Sequence, residues 1–432
     1  MTSPENTSKR DEPMTPAGGE EPRTSGDERS AEHERIRQVL LDHGASEEEI
    51  ERAEGEGIVD LLVADRLLVP GRRQYTADQV AELTGLDADL AHRLWRALGF
   101  ADVDGDERAF TDLDVEAIQL FQVMVQSGAS DIESALHLAR VIGLSMARIA
   151  EAEVSPSVMS IASPTGGGDQ IEEADRIARL ADVSLPLMAK LLEYIWRRHV
   201  QAATRRAMLL RTRGSGTLPE MTVGFADMVG FTVLSQELSE AELAAVVGRF
   251  EQVAHDTITA RGGRVVKMIG DEAMFVVESN TAAAEIALTL AEVYADDELL
   301  SDVRVAMAFG PVLVQDGDFF GPVVNLASRA VTIAEPGSVL ISDELHTELV
   351  SESDELERFA FKPLRPRQLK DLGRVQLWAL RRPGREHAPL DRRSGRRFQR
   401  VADNLPDLDE LRERGERLFG SARRSTARSV VA

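Results

Sequence analysis

The sequence contains no cysteine in 432 residues. Disulfides, thiolate metal centres and cysteine nucleophiles are thereby excluded, and any metal ion must be held by oxygen or imidazole ligands. It also lacks any apolar run near the ~20 residues that cross a bilayer, and its Met-Thr-Ser-Pro-Glu-Asn start lacks the basic and apolar segments of a secretory signal. A soluble, cytoplasmic protein with no transmembrane segment is expected. Positive charge is in deficit: 50 Lys and Arg against 74 Asp and Glu leave a net charge of -24. Such a surface repels phosphate backbones, so nucleic acid is not an expected partner. What is present is a hydrophobic fraction of 43%, enough for buried cores, on a chain long enough for two or three domains.

Residues 1–30 mix Pro, Ser, Thr, Gly and Glu with almost no apolar side chain and read as a disordered tail. Over 31–168 the pattern turns helical, with Ile36, Val39, Leu40 and His43, then Val80, Leu83, Leu90 and Leu94, recurring at helical spacing. The Pro, Ser and Gly stretch 155–168 reads as a hinge closing this all-helical domain. Residues 169–216 follow as a helical linker carrying Leu187, Leu191, Leu192 and Ile195.

Across 217–382 the period changes. Residues 221–225 alternate as a strand, and Ser239 with Glu242 forms a capping box ahead of an apolar helix. Residues 264–269 and 273–277 read as a hairpin around Gly270, Asp271 and Glu272. A helix over 282–293, strands 303–309 and 312–314 about a Gly310-Pro311 turn, and a helix over 323–333 complete the series. This order predicts an α+β sandwich with helices on one sheet face. Residues 383–432 form an Arg-rich tail in which Arg392, Arg393, Arg396, Arg397 and Arg400 suit either solvent or anionic lipid.

Two carboxylates stand out. Asp227 closes a strand, and Thr232 is placed to cap the helix after it, so the free amides around Phe231 and Thr232 suit a phosphate while the carboxylate suits Mg²⁺. Asp271 lies at a hairpin tip. Together they have the chemistry to hold two cations that bridge phosphate oxygens and activate a ribose hydroxyl. Either one alone reads as an ordinary cap or turn residue, because Asp is among the commonest turn residues.

Three stretches together resemble the class III adenylate and guanylate cyclase family: FADMVGFT at 225–232, KMIGDEAMF at 267–275 and DFFGPVVNLASR at 318–329. The resemblance implies a ferredoxin-like catalytic domain that uses two Mg²⁺ or Mn²⁺ per site to make cyclic AMP from ATP. Asp227 and Asp271 match the metal pair, Lys267 and Asp318 the pair that reads adenine, and Asn325 and Arg329 the pair that orients ribose and stabilises the transition state. The types make physical sense: Lys267 donates and Asp318 accepts, as the adenine ring nitrogen and exocyclic amine require. Asn325 and Arg329 share a helix face, and a guanidinium suits charge on the α-phosphate.

Lys267 and Asp271 are four positions apart on a largely extended segment, roughly 13 Å at about 3.3 Å per residue, too far to meet on one phosphate. In the resembling family the two sets come from different catalytic domains, which implies a homodimer through that domain, with two composite sites. The helical half resembles, less specifically, regulatory regions of actinobacterial cyclases, some of which respond to acid. His92, His137 and His199 are the candidate titrating groups. The run YTADQVAELTGL followed by HRLWRALGF also resembles a MerR-type helix-turn-helix. Its recognition segment offers only Arg93 and Arg96 amid Asp87, Asp89, Asp102 and Asp104, so a structural three-helix unit is expected instead of a DNA reader. No motif supports lipid binding by this region. A diguanylate cyclase, the nearest rival enzyme, would carry a second Gly before the acid pair.

Overall fold

In a computed structural model of the chain, the described residues are 26–128, 130–154, 170–212, 218–297, 299–351 and 357–384. The hinge at 155–168, the Arg-rich tail and most of the N-terminal tail lie outside them, and the first helix starts at Gly26. The chain divides into two compact units, one ending at Thr204 and the other beginning at Arg205. None of the described helices is long and apolar enough to cross a membrane.

The first unit is helical because its caps and apolar periods agree. Ser46 and Glu49 close a capping box at the helix Glu47–Glu56, which ends on Gly57 at φ 73, a conformation glycine adopts without strain. Ile36, Leu40, Ile50 and Val63 form one core, joined by Ala174 and Ala178. Those two alanines come from a 43-residue helix, Gln170–Thr212, that carries Pro186 inside it. Asp175, 1% exposed, lies between Arg35 and Arg179, because a carboxylate that deep requires charged partners. A second core of Val80, Leu94, Phe110, Ile118 and Leu136 joins the helices Ala77–Thr84, Ala88–Ala97 and Asp112–Gln126. Leu136 comes from a fourth helix, Ile132–Glu153, so the three helices expected for the helix-turn-helix-like run pack with one more.

The second unit is built on strands β1 (Glu220–Met228), β2 (Arg264–Ile269), β3 (Glu272–Val277), β4 (Val303–Pro311), β5 (Leu313–Gln315), β6 (Asp318–Phe320), β7 (Val339–Ser342), β8 (Ala360–Pro363), β9 (Arg367–Leu369), β10 (Gly373–Val375) and β11 (Leu377–Arg381). Seven of them form one sheet in the order β2-β3-β1-β4-β7-β11-β8, antiparallel except between β4 and β7. The period-2 alternation of β1 sends Ala226 and Met228 toward Val246, Phe250 and Ile286 on one face. Val223 and Phe225 go to the other, against Val323, Ala327 and Ala330 of the helix Pro322–Ile333. The expectation of helices on one face is therefore corrected: both faces are covered. The apolar stripe of the 323–333 segment needed a sheet face of its own, and the first was already filled by the helices Glu240–Thr259 and Asn280–Asp296.

The expected turn at Gly310-Pro311 is also corrected. Both residues end β4, and the reversal comes at Asp316 and Gly317, with φ 54 and 81, between the paired Gln315 and Asp318. A two-residue Asp-Gly loop with both φ positive matches the right-handed twist of a hairpin. Close packing explains Gly224: a Cβ there would meet the Phe275 ring at 2.2 Å. Replacing Gly224 by Ala is expected to destabilise this unit by about 1–3 kcal/mol, read as a lower midpoint in chemical denaturation. An unchanged midpoint would show that the Phe275 ring yields freely.

Candidate active site

The sheet register lines up three charged residues. Asp227 on β1 pairs with Glu272 on β3 and with Arg304 on β4. Directly opposed residues of an antiparallel ladder point to the same face. By alternation this face is that of Phe225, Met274 and Ala306, the one the Pro322–Ile333 helix covers further along. The Arg304 guanidinium forms a hydrogen-bonded ion pair with Asp227 Oδ2.

Asp271 occupies the two-residue loop between Ile269 and Glu272, where Gly270 at φ 62 makes the reversal. The Met228 amide donates to the Asp271 carbonyl at 3.0 Å, which ties the hairpin tip to the end of β1. The Asp271 backbone is thus tied to the residue after Asp227. Burial raises the Asp227 carboxyl above the ordinary range, and the Asp271 charge adds to the rise while Arg304 opposes it. Glu272 is pushed up to about 7 by burial, then by Asp227 and Asp271, against the pull of Arg304.

After β1 the chain enters a seven-residue helix, Phe231–Glu237. Thr232 lies inside that helix; the cap is Gly230 at φ 79, so the expected capping role of Thr232 is corrected. A residue with φ positive turns the chain without a side-chain acceptor, and glycine adopts it at no cost. The first bond onto this cap runs from the Val233 amide to the Gly230 carbonyl at 3.1 Å, leaving the Phe231 and Thr232 amides ahead of it. Phe231 packs against the core on the opposite side of the sheet, and Thr232 is exposed.

Lys267 and Asp318 meet, although 51 positions separate them: Nζ lies 2.6 Å from Oδ2. A register shift between Val265 and Lys267 re-aims β2, as a bulge does, and the Asp316-Gly317 loop sets Asp318 at the start of β6. The other carboxylate oxygen accepts the Phe319 amide at 2.8 Å. Burial alone would raise the Asp318 carboxyl; the Lys267 and Phe319 hydrogen bonds outweigh it and hold it below its usual value.

Asn325 and Arg329 lie on the Pro322–Ile333 helix, both exposed, one turn apart and opposite the buried Val323, Ala327 and Ala330. Among the described residues, no hydrogen bond or ion pair joins their side chains to the aspartates or to the Lys267–Asp318 pair. Two charged residues at the site escaped sequence reasoning. Arg304 interrupts the apolar run of β4, and Glu272 falls in phase with Asp227; both signals appear only once the strands are registered.

Comparison with known proteins identifies the family. Residues 215–381 match the adenylate and guanylate cyclase catalytic domain, and residues 23–203 the adenylate cyclase regulatory domain. An adenylate cyclase of Streptomyces coelicolor is 34% identical over 343 residues, 74% of this chain and 89% of that protein. One from Streptomyces griseus is 33% identical over 356 residues, 74% of this chain and 88% of that protein. A pH-sensitive adenylate cyclase of Mycobacterium tuberculosis is 31% identical over 362 residues, 82% of this chain and 88% of that protein. The chain belongs to the class III adenylate and guanylate cyclase family. Within it, the enzyme is an adenylate cyclase, a lyase with an adenylate cyclase regulatory domain ahead of the catalytic one.

A carboxyl held low in the folded state contributes stability above its unfolded pKa and loses it as pH falls through the folded value. The Lys267→Met variant should therefore return the Asp318 carboxyl toward the ordinary range and lessen the acid dependence of stability below about pH 4. Carboxyl NMR titration of Asp318 reads this; an unmoved titration would mean that the ion pair does not set its value.

Proposed function

We propose that this cyclase converts ATP to 3′,5′-cyclic AMP and pyrophosphate as a homodimer with two composite sites. Each site takes Asp227 and Asp271, with the Phe231 and Thr232 amides, from one copy and Lys267, Asp318, Asn325 and Arg329 from the other. The observation that carries this reading is the incompleteness of a single copy. The Met228 amide, next to Asp227, binds the Asp271 loop, and Lys267 binds Asp318, yet among the described residues no hydrogen bond or ion pair links these two groups, and Asn325 and Arg329 are exposed.

The donor set fits divalent cations. Two hard carboxylates converge where burial and mutual repulsion already raise one of them, a strain that a cation relieves. When bound, two Mg²⁺ or Mn²⁺ supply neutralisation of the triphosphate and a lower pKa for the ribose hydroxyl. Asp227 and Asp271 would hold them. Lys267 donates to the adenine ring nitrogen and Asp318 accepts from the exocyclic amine, an arrangement that the O6 acceptor of guanine opposes. Asn325 orients the ribose so that the 3′-oxygen, its proton released to water, bonds to the α-phosphorus as the bond to pyrophosphate breaks. Arg329 meets the charge that grows on the α-phosphate oxygens.

Neither Asp227→Ala nor Lys267→Ala homodimers should cyclise ATP, but mixing the two chains should regenerate one intact site in each mixed dimer. Failure of the mixture to recover activity, with mixed dimers verified, would sink the composite site. Asp318→Asn turns an acceptor oxygen into a donor at the adenine amine, and kcat/KM for ATP should drop about 100-fold or more, as when a polar recognition group is left unpaired. An unchanged ATP to GTP preference would remove Asp318 from base recognition.

Regulation by pH is a second element of this reading, favoured by the similarity to a pH-sensitive adenylate cyclase. Of the candidate histidines, His92 has the clearest setting: Nδ1 lies 3.5 Å from Asp102 Oδ1, and the ring borders a small apolar cavity with Trp95 and Phe110. The full chain and a form starting near Thr217 should show an activity ratio that changes between about pH 5.5 and 8. A constant ratio would dismiss the regulatory domain as a pH sensor.

A further inference from the structure

Asp227 stands in the middle of a row. Glu272 is opposite it on β3, Arg304 is opposite it on β4, and the Asp271 loop is tied to the next residue of β1 through the Met228 amide. Its carboxylate therefore has two directions to turn, toward the hairpin tip that carries Asp271 or toward β4. In this structure it turns toward β4 and is bound by the Arg304 guanidinium. The pair is shielded, with side-chain exposures of 18% for Asp227 and 29% for Arg304, so water screens it less than a surface pair.

The arginine is not settled there. Its Nε is buried without a hydrogen-bond partner, and a buried unpaired donor costs free energy. A guanidinium with one satisfied edge and one orphaned edge is poised to leave when its partner finds a better cation. Around it are Asp227, Asp271 and Glu272, whose mutual repulsion it partly offsets.

We infer that Arg304 is an internal counter-ion that occupies the metal site, so that a divalent cation binds between Asp227 and Asp271 only by displacing the guanidinium from Asp227. This rests on the reading that Asp227 is a metal ligand. Its consequence is that the enzyme takes up metal weakly by itself. Arg304 acts as a positioning residue, offsetting part of the carboxylate charge and holding the β1 end in place until a cation arrives.

Mn²⁺ binding to the full-length protein without nucleotide, followed by electron paramagnetic resonance of free Mn²⁺, tests this apart from activity. Arg304→Met keeps the aliphatic stem and removes the competing charge; it should bind Mn²⁺ about tenfold tighter than the parent chain. Arg261→Met removes one positive charge elsewhere on the same unit and should leave the affinity unchanged. Thermal unfolding gives a second measurement: metal-free Arg304→Met should melt lower than the parent, and Mn²⁺ should raise its midpoint by more. Equal or weaker Mn²⁺ binding by Arg304→Met overturns the inference, as does equal tightening by Arg261→Met, which would make net charge the cause. Asp227→Ala separates the two layers. If Mn²⁺ binding survives that change, the metal reading itself fails and the inference falls with it; if binding is lost while Arg304→Met binds no tighter than the parent, only the counter-ion inference fails.

Discussion

The catalytic unit depends on one geometric constraint, the fixed alternation of β1 between its antiparallel neighbours β3 and β4. That register puts Ala226 and Met228 into one core and Phe225 into the other. It also puts Asp227 in a row with Glu272 and Arg304. A slip of one residue would bury the aspartate among Val246, Phe250 and Ile286 and exchange the apolar residues of β1 between the two cores. Fold stability and site chemistry thus rest on the same pairing, and the hairpin that presents Asp271 is anchored to it through the Met228 amide.

Within one copy the candidate residues fall into separate groups. The carboxylates stand close and repel, with Glu272 pushed up to about 7 and Arg304 as the opposing charge. The Lys267–Asp318 pair satisfies itself at 2.6 Å, while Asn325 and Arg329 face solvent from a helix whose other side is packed. Charges paired with each other or with solvent are inexpensive to maintain. The regulatory unit is built differently, on capped helices and two small cores. The long Gln170–Thr212 helix is held to the first of these by Ala174, Ala178 and the buried Asp175.

Much of this was legible in the chain. The capping box at Ser239 and Glu242, the hairpin around Gly270 and Asp271, and the helix carrying Asn325 and Arg329 appear where their local patterns put them. The misreadings have local causes as well. Gly310-Pro311 looked like a turn because those residues break strands, whereas Asp316-Gly317, with both φ positive, makes the reversal. Thr232 looked like a cap because threonine often is one, but Gly230 does that work through its backbone alone.

By itself the sequence determined most of the elements, the capping box at Ser239 and the change of period between the two halves, because these are written in short-range spacing and side-chain chemistry; the six candidate residues came from a family resemblance. Only the tertiary structure decided which residues meet. Lys267 and Asp318 are 51 positions apart and in contact; Arg304 and Asp227 are 77 apart and paired. Sheet order and strand register, which have no short-range signature, bring them together. The same register is why the helices divide between two faces of the sheet.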